Sequence, residues 1–370
     1  MKNLPIGIQS FEKLRENDCL YVDKTGEIHQ LVTSGVGVYF LSRPRRFGKS
    51  LLISTMDSLF SGRKDLFAGL YIYDKWDWTK QYPVIRIDWT LIGHATPEDI
   101  EKNLINYLKE KAEDYQATLK TDSAPDCLRK LIRTLHEKTG RRVVVLVDEY
   151  DVPILDVMGK AAEELKAIQE KLHAIYKVLK GADDHLQFVF LTGVSKFAGL
   201  SIFSALNNLK DITLDRQYAT ICGYTQQELE GNFSDYLAAA AEEMSKTHEE
   251  LLDAVRRWYN GYSWDGRTSV YNPFGILLFL SEQKFKNFWF STGTPTFLIE
   301  LLKKRNHIDS FLQPIQVKES IFSSYDPERL ETIPLLFQTG YLTIKGAVMD
   351  DVEWTYTLAI PNKEVEHSFV

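Results

Sequence analysis

Cysteine is scarce: three in 370 residues, at Cys19, Cys127 and Cys222, odd in number and without CxxC or Cys/His ligand spacing. That excludes a disulfide framework and a zinc-ribbon site, and it fits a reducing compartment, the cytoplasm. Long apolar runs are missing too. No stretch approaches the roughly 20 apolar residues of a membrane helix, and the opening MKNLPIGIQSFEKLREND lacks an apolar segment of signal-peptide length. A soluble protein without membrane contact is expected. Positive charge is not in excess, since 44 Lys and Arg face 51 Asp and Glu for a net charge of −7. Binding of nucleic acid through a broadly basic surface is thereby excluded, and any phosphate contact has to be local. Internal repeats and low-complexity linkers are also absent. With 44% hydrophobic and 26% charged residues the chain is globular, and its length calls for two or more packed units.

Short apolar runs and helical spacings alternate through the first part. VGVYFLS (Val36 to Ser42), VIRIDW (Val84 to Trp89), VVVLV (Val143 to Val147) and QFVFLT (Gln187 to Thr192) read as buried strands. Between them, Lys49 to Phe60, Pro97 to Glu113, Ala124 to Lys138 and Ala161 to Lys180 keep one apolar face each. Near-continuous apolar strands alternating with helices predict an α/β fold with a parallel sheet covered on both faces. DITL (Asp211 to Leu214) is a candidate edge strand. After about Gly223 the texture turns helical, with a capping box at Thr225/Glu228 and N-cap-proline starts at Asn272-Pro273 and Thr294-Pro295. YLTIK (Tyr341 to Lys345) and WTYTLAI (Trp354 to Ile360) read as a hairpin, so helices followed by a hairpin predict a winged-helix-like end. The expected division is residues 1–222 and 223–370.

The stretch RPRRFGKS, Arg43 to Ser50, sits between a strand and a helix. It ends as a phosphate loop does: Gly48 for the turn, Lys49 for phosphate oxygens, Ser50 for Mg²⁺, and a helix N-terminus offering free N–H groups. Arg43 stands where that pattern has its first glycine. Arg43, Arg45 and Arg46 are available to add charge against a triphosphate, with Pro44 stiffening the turn; the bland alternative is a solvated basic patch. In RRVVVLVDEYD the strand delivers Asp148 and Glu149 to its carboxyl end, where open α/β sheets place ligands. Asp148 is the candidate Mg²⁺ holder and Glu149 the candidate base for the attacking water. A strand end or helix cap is the alternative for this pair alone. Thr192 and Ser195, in LTGVSKF, are candidate γ-phosphate sensors or turn caps, and Asp88 caps its strand end or approaches the metal's outer shell.

With RPRRFGKS, LVDEYD and LTGVSKF together, the chain resembles the AAA-ATPase-like family of bacterial P-loop ATPases. LPIGIQSFEKLRENDCLYVDKT, RRWYNGYSWDG, VYNPFGILLFL and LFQTGYLTIKG extend the resemblance over nearly the whole chain. It implies an additional-strand sheet in which one strand separates the Walker A and Walker B strands. It implies Lys49 and Ser50 as the Walker A pair, Asp148 and Glu149 as the Walker B pair, and Thr192 or Ser195 as sensor. Arg43 in place of glycine is normal in that family. Members often continue into a PD-(D/E)xK nuclease-like domain; no Asp followed by ExK in a strand context occurs here, and no nuclease activity is assigned.

The expected function is a Mg²⁺-dependent nucleoside triphosphatase, an ATP hydrolase that couples nucleotide state to a conformational switch in the C-terminal unit. Expected catalytic residues are Lys49, Glu149, Thr192 and Ser195; nucleotide contacts run from Arg43 through Pro44, Arg45, Arg46, Phe47, Gly48, Lys49 and Ser50 to Leu51; Ser50 and Asp148 hold the metal. ATP or ADP is the expected ligand, with a protein partner or nuclease-like effector and an oligomer left open. Alternatives are a nucleotide-sensing module with negligible turnover, for which Arg43 would add retention, and a winged-helix DNA binder using Lys303, Lys304 and Arg305. Arg216 and the Arg256-Arg257 pair are arginine-finger candidates or surface ion pairs. YVDKTGEI (Tyr21 to Ile28) is placed near the base or phosphates, with Asp23 and Lys24 as a local pair or cap. Tyr259, Tyr262 and Trp264 read as core or as a stacking surface, and His94, His136 and His173 lack metal spacing.

Overall fold

A computed structural model describes residues 1–35, 37–158, 162–196, 206, 208–289, 313–322, 332–349 and 352–368. Among the described residues the first five strands form a parallel sheet in the order β2-β3-β4-β1-β5. They are β1 (Gly37–Ser42), β2 (Val84–Asp88), β3 (Val143–Asp148), β4 (Leu186–Gly193) and β5 (Leu209–Asp211). Every residue of β3 is buried, as its unbroken apolar run requires of a strand covered on both faces. The helices of this part are α1 (Phe11–Glu16), α2 (Thr25–Thr33), α3 (Lys49–Phe60), α4 (Pro97–Asp114), α5 (Ala124–Thr139), α6 (Val152–Leu155) and α7 (Ala162–Gly181). α7 buries Leu165, Ile168, Leu172, Ile175 and Leu179, the face marked by their spacing.

Strand β4 separates β1 from β3, the order that the resemblance implied. Register places Ser42 beside Gly193 and Asp88 beside Asp148. The carboxyl ends of β1, β3 and β4 therefore deliver the arginine-rich loop, the acidic pair and Thr192 to one edge of the sheet. β5 starts and ends earlier than the DITL run suggested. Asp211 Oδ1 accepts the Thr213 N–H, turning the chain, and the Thr213 hydroxyl accepts the Ser42 N–H in place of a ladder bond.

Beyond residue 223 both bonds of the Thr225/Glu228 capping box are present, and Asn272 caps the helix Pro273–Glu282. A second capping box, Thr247/Glu250, starts His248–Tyr259. β7 (Thr343–Met349) and β8 (Trp354–Ala359) pair antiparallel as the expected hairpin. β6 (Ile315–Lys318) adds a third strand on β8. Its four residues IQVK alternate apolar and polar, but so short a run was not read as a strand. Thr294-Pro295, Phe197 and the Lys303 to Arg305 cluster lie outside the described residues.

Apolar packing crosses residue 222 in both directions. One core joins the parallel sheet to Tyr262, Trp264, Trp289, Leu336, Tyr341 and Leu358. A second gathers Leu229, Phe233, Val255, Tyr259 and Phe279 with Val22 from the N-terminal segment. The three cysteines are buried and free. Among the described residues no helix is long and apolar enough to cross a membrane.

Candidate functional site

The loop Arg43 to Ser50 turns on two left-handed residues, Arg46 (φ 69°) and Gly48 (φ 93°). Gly48 is the N-cap of α3, and Lys49 is the helix's first residue. Arg43 does not have positive φ, so the turn does not require glycine there. Lys49 is 3% exposed. Its Nζ donates to the carbonyls of Arg43 (3.1 Å) and Pro44 (3.3 Å) and lies 3.2 Å from Glu149 Oε1.

Strand β3 ends in Asp148, 1% exposed, whose Oδ1 accepts the Thr192 hydroxyl at 2.8 Å. Its pKa is raised, first by burial and then by the neighbouring Glu149, with the Ser50 and Thr192 hydroxyls opposing the rise. Glu149 has φ 52°, a conformation uncommon for a residue with a side chain. Asp148 Oδ2 and Glu149 Oε2 are both buried and, among the described residues, have no hydrogen-bond partner. Two orphaned carboxylate oxygens beside a lysine and a hydroxyl are a donor set that suits a hard cation and a phosphate, so the residues fit Mg²⁺ and a nucleotide.

A cleft of about 470 Å³ opens onto Arg45, Arg46, Gly48, Lys49, Ser50, Leu51 and Glu149. It is also lined by Pro5, Gly7, Ile8, Gln9, Tyr224, Pro273, Phe274 and Leu277. A smaller, largely apolar cavity of about 60 Å³ adjoins it, lined by Tyr21, Val22, Leu51, Ile221 and Tyr224 among others, and the two share Gly48 and Leu51. Part of YVDKTGEI thus lies beside the loop.

Not every expected contact faces this cleft. Arg43 is fully buried, and its guanidinium donates to the carbonyls of Ser42 (2.8 Å), Thr213 (2.9 Å) and Tyr218 (3.1 Å) while lying 4.0 Å from the Trp264 ring centroid. The expectation of added charge against a triphosphate does not hold for Arg43, because these carbonyls and the indole take up its guanidinium. Pro44 lines a separate cavity whose wall does not include Lys49, although its carbonyl accepts from Lys49 Nζ, and Phe47 packs on Tyr262 and Trp264. The Thr192 hydroxyl is engaged by Asp148, whereas the buried Ser195 hydroxyl has no partner among the described residues.

Asp151 is the residue that sequence reading passed over. It is fully buried, and its Oδ2 accepts the N–H groups of Val194 (3.0 Å) and Ser195 (2.7 Å), tying the chain after β4 to the DEYD run. Tyr150 adds a bond from its hydroxyl to the Ser195 carbonyl, 2.6 Å. Gly193 makes room for both, since a Cβ there would meet Tyr150 and Asp151 at 2.5 and 2.6 Å. Burial, then Glu149, pushes the Asp151 carboxyl up to about 7. The available signal was its place in the quoted run RRVVVLVDEYD.

The remaining candidates have local roles. Asp88 accepts the N–H and hydroxyl of Thr90. Asp23 accepts those of Thr25, and Lys24 pairs instead with Glu228 at 2.6 Å. Arg256 pairs with Asp253, and Arg216 and Arg257 are exposed. Tyr259, Tyr262 and Trp264 are buried core. His94 pairs with Asp156 and His136 with His185. Among the described residues no group of three or more His, Cys, Asp or Glu could hold a metal by themselves.

A five-stranded parallel sheet with a lysine-bearing loop and an acidic pair at one edge is consistent with a P-loop-like α/β core. The chain belongs to the AAA-ATPase-like family, whose sequence model, described as "Predicted AAA-ATPase", matches residues 5–203. It is also 42% identical over 370 residues to a protein of Azotobacter chroococcum mcd 1 described as "Uncharacterized protein in vnfD 5'region". That match covers 99% of this chain and 69% of the relative. Membership supports nucleotide binding and ATPase activity at the level of the family.

Proposed function

We propose that this protein is a Mg²⁺-dependent ATPase whose nucleotide state is coupled to the unit beyond residue 222. The observation that carries the reading is the convergence of Lys49, Ser50, Asp148 and Glu149 at the N-terminus of α3, with two carboxylate oxygens buried and unpaired among the described residues. Gly48, Lys49, Ser50 and Leu51 would bind phosphates, helped by Arg45 and Arg46 at the cleft. Ser50 and Asp148 would hold Mg²⁺, which when bound neutralises charge on the β- and γ-phosphate oxygens. Thr192 fixes the Asp148 carboxylate, and Ser195 offers the free hydroxyl for sensing. The adjoining apolar cavity, with Tyr21 and Tyr224, would receive the base.

Lys49 and Glu149 restrain each other. Phosphate oxygens compete for Lys49 Nζ, and a lysine turned toward them releases Glu149 to orient water and accept its proton. Turnover is thereby tied to occupancy.

The coupled unit is the helices and three-stranded sheet beyond residue 222, with the helix Thr332–Thr339 followed closely by the β7-β8 hairpin. A winged-helix-like role for that hairpin belongs to the same proposal. The alternative of a non-hydrolysing sensor drew on Arg43 as a phosphate contact, and the packing of Arg43 on Trp264 removes that support. Calorimetric titration with ATP and Mg²⁺ tests the reading: wild type binds, and Lys49→Ala binds far more weakly. Equal binding by both would refute it.

A further inference from the structure

From Arg43 to Phe47 each residue of the loop rests on a group from beyond residue 222. The Arg43 guanidinium stacks on Trp264 at 4.0 Å. Pro44 packs so closely on Gly340 that a Cβ there would meet its ring at 2.9 Å. The Arg45 carbonyl accepts the Trp289 indole N–H at 3.1 Å. Arg46 lies over Phe274, 4.8 Å from the ring centroid. Phe47 meets Tyr262 and Trp264 edge-on, at 4.9 and 5.4 Å between centroids.

A glycine-rich phosphate loop takes its shape from its own permissive backbone. This loop retains Gly48 alone, and it places Arg46 at φ 69°, an unfavourable conformation that persists where surroundings impose it. The surroundings here are the aromatic groups just named. Arg43 meets them through a planar fork that satisfies three backbone carbonyls while its face lies on an indole, a combination that lysine cannot reproduce.

We propose that Arg43 and Trp264 are positioning residues of the nucleotide site, through which the C-terminal unit holds the phosphate loop in its binding shape. The inference rests on the nucleotide reading above. By linkage, nucleotide and a docked C-terminal unit favour each other, and a loop that spends less time in the binding shape shows proportionally weaker apparent affinity.

The test is MgATP and MgADP affinity, with steady-state ATPase kinetics, for wild type, Arg43→Lys, Trp264→Leu, Trp264→Phe and the double variant Arg43→Lys/Trp264→Leu. Leucine keeps an apolar group at the site while removing the π face; should that variant fail to fold, Arg43→Lys carries the same prediction. Each of the first two substitutions is expected to weaken binding roughly tenfold and raise KM with kcat at saturation little changed. Trp264→Phe restores affinity to within about threefold of wild type, since the aromatic face remains. The double variant binds no more than about threefold more weakly than the worse single one, because both act through one contact. Wild-type affinity in both Arg43→Lys and Trp264→Leu, or losses that multiply as for an independent phosphate ligand, overturns the inference and leaves the ATPase reading standing. A wild-type protein that binds neither nucleotide overturns both.

Discussion

Lys49 Nζ lies 3.2 Å from Glu149 Oε1, joining the first residue of α3 to the residue just after β3. The lysine is buried and, among the described residues, Glu149 is its only carboxylate partner, so its charge is shared between Glu149 and two loop carbonyls. A phosphate would replace these contacts with stronger charge-assisted ones. Lys49→Ala is expected to weaken ATP binding by about 1.5–3 kcal/mol, the usual value of a hydrogen bond to a charged group. Calorimetric titration at fixed Mg²⁺ measures it, and a loss well under this range would place the phosphates elsewhere.

Backbone strain at Glu149 gives a second expectation. At φ 52° a side chain is disfavoured and glycine is not. Glu149→Gly and Glu149→Ala both remove the carboxylate, yet the glycine variant should be more stable by about 1 kcal/mol. Both should lose turnover. Urea unfolding of the two proteins reads the difference, and equal midpoints and slopes would show that the left-handed turn carries no strain.

Much of this arrangement was legible in the sequence, for identifiable reasons. The apolar runs of β1 to β4, the Thr225/Glu228 box and the Asn272-Pro273 start are local signals, and they appear where they were read. GKS and DE were also local, and the fold brings Lys49 and Glu149 together. The direction of Arg43 was not legible, because its partner Trp264 is distant in sequence and only packing brings the two together. Asp151 was missed for a similar reason: its partners are backbone N–H groups of Val194 and Ser195, which no side-chain pattern reveals.

Asp151 has a further consequence for pH dependence. Its folded-state carboxyl is raised to about 7 by burial and Glu149. Because the folded state holds the proton more tightly than the unfolded one, the associated stability is fully present below the ordinary carboxylate range and is lost as pH rises through about 7. The ionised form is the one that accepts both N–H groups without competition from a proton. kcat/KM should therefore rise through about pH 7, and Asp151→Asn should lack that inflection and show lower activity throughout. A wild-type profile that is flat from about pH 6 to about pH 8 would exclude this role.

Glu364 obeys the same sign. It is buried and accepts the Trp289 backbone N–H at 2.8 Å, and burial raises its carboxyl to about 7. Stability is again lost as pH rises through that value. Glu364→Gln keeps an acceptor for Trp289 and removes the ionisation, so its melting temperature should exceed that of wild type above neutrality and converge with it in mild acid. Thermal scans across this window measure it; a variant less stable than wild type above neutrality would show that the charged form is the stabilising one.

The most direct test of the central claim is phosphate release under single-turnover conditions by wild type and Glu149→Gln, with Mg²⁺ present and then chelated. The account predicts Mg²⁺-dependent release by wild type, and for Glu149→Gln retained ATP binding with release slowed about 10²-fold or more, the range of general acid–base catalysis. Release by Glu149→Gln at the wild-type rate, or by wild type with Mg²⁺ chelated, would contradict it.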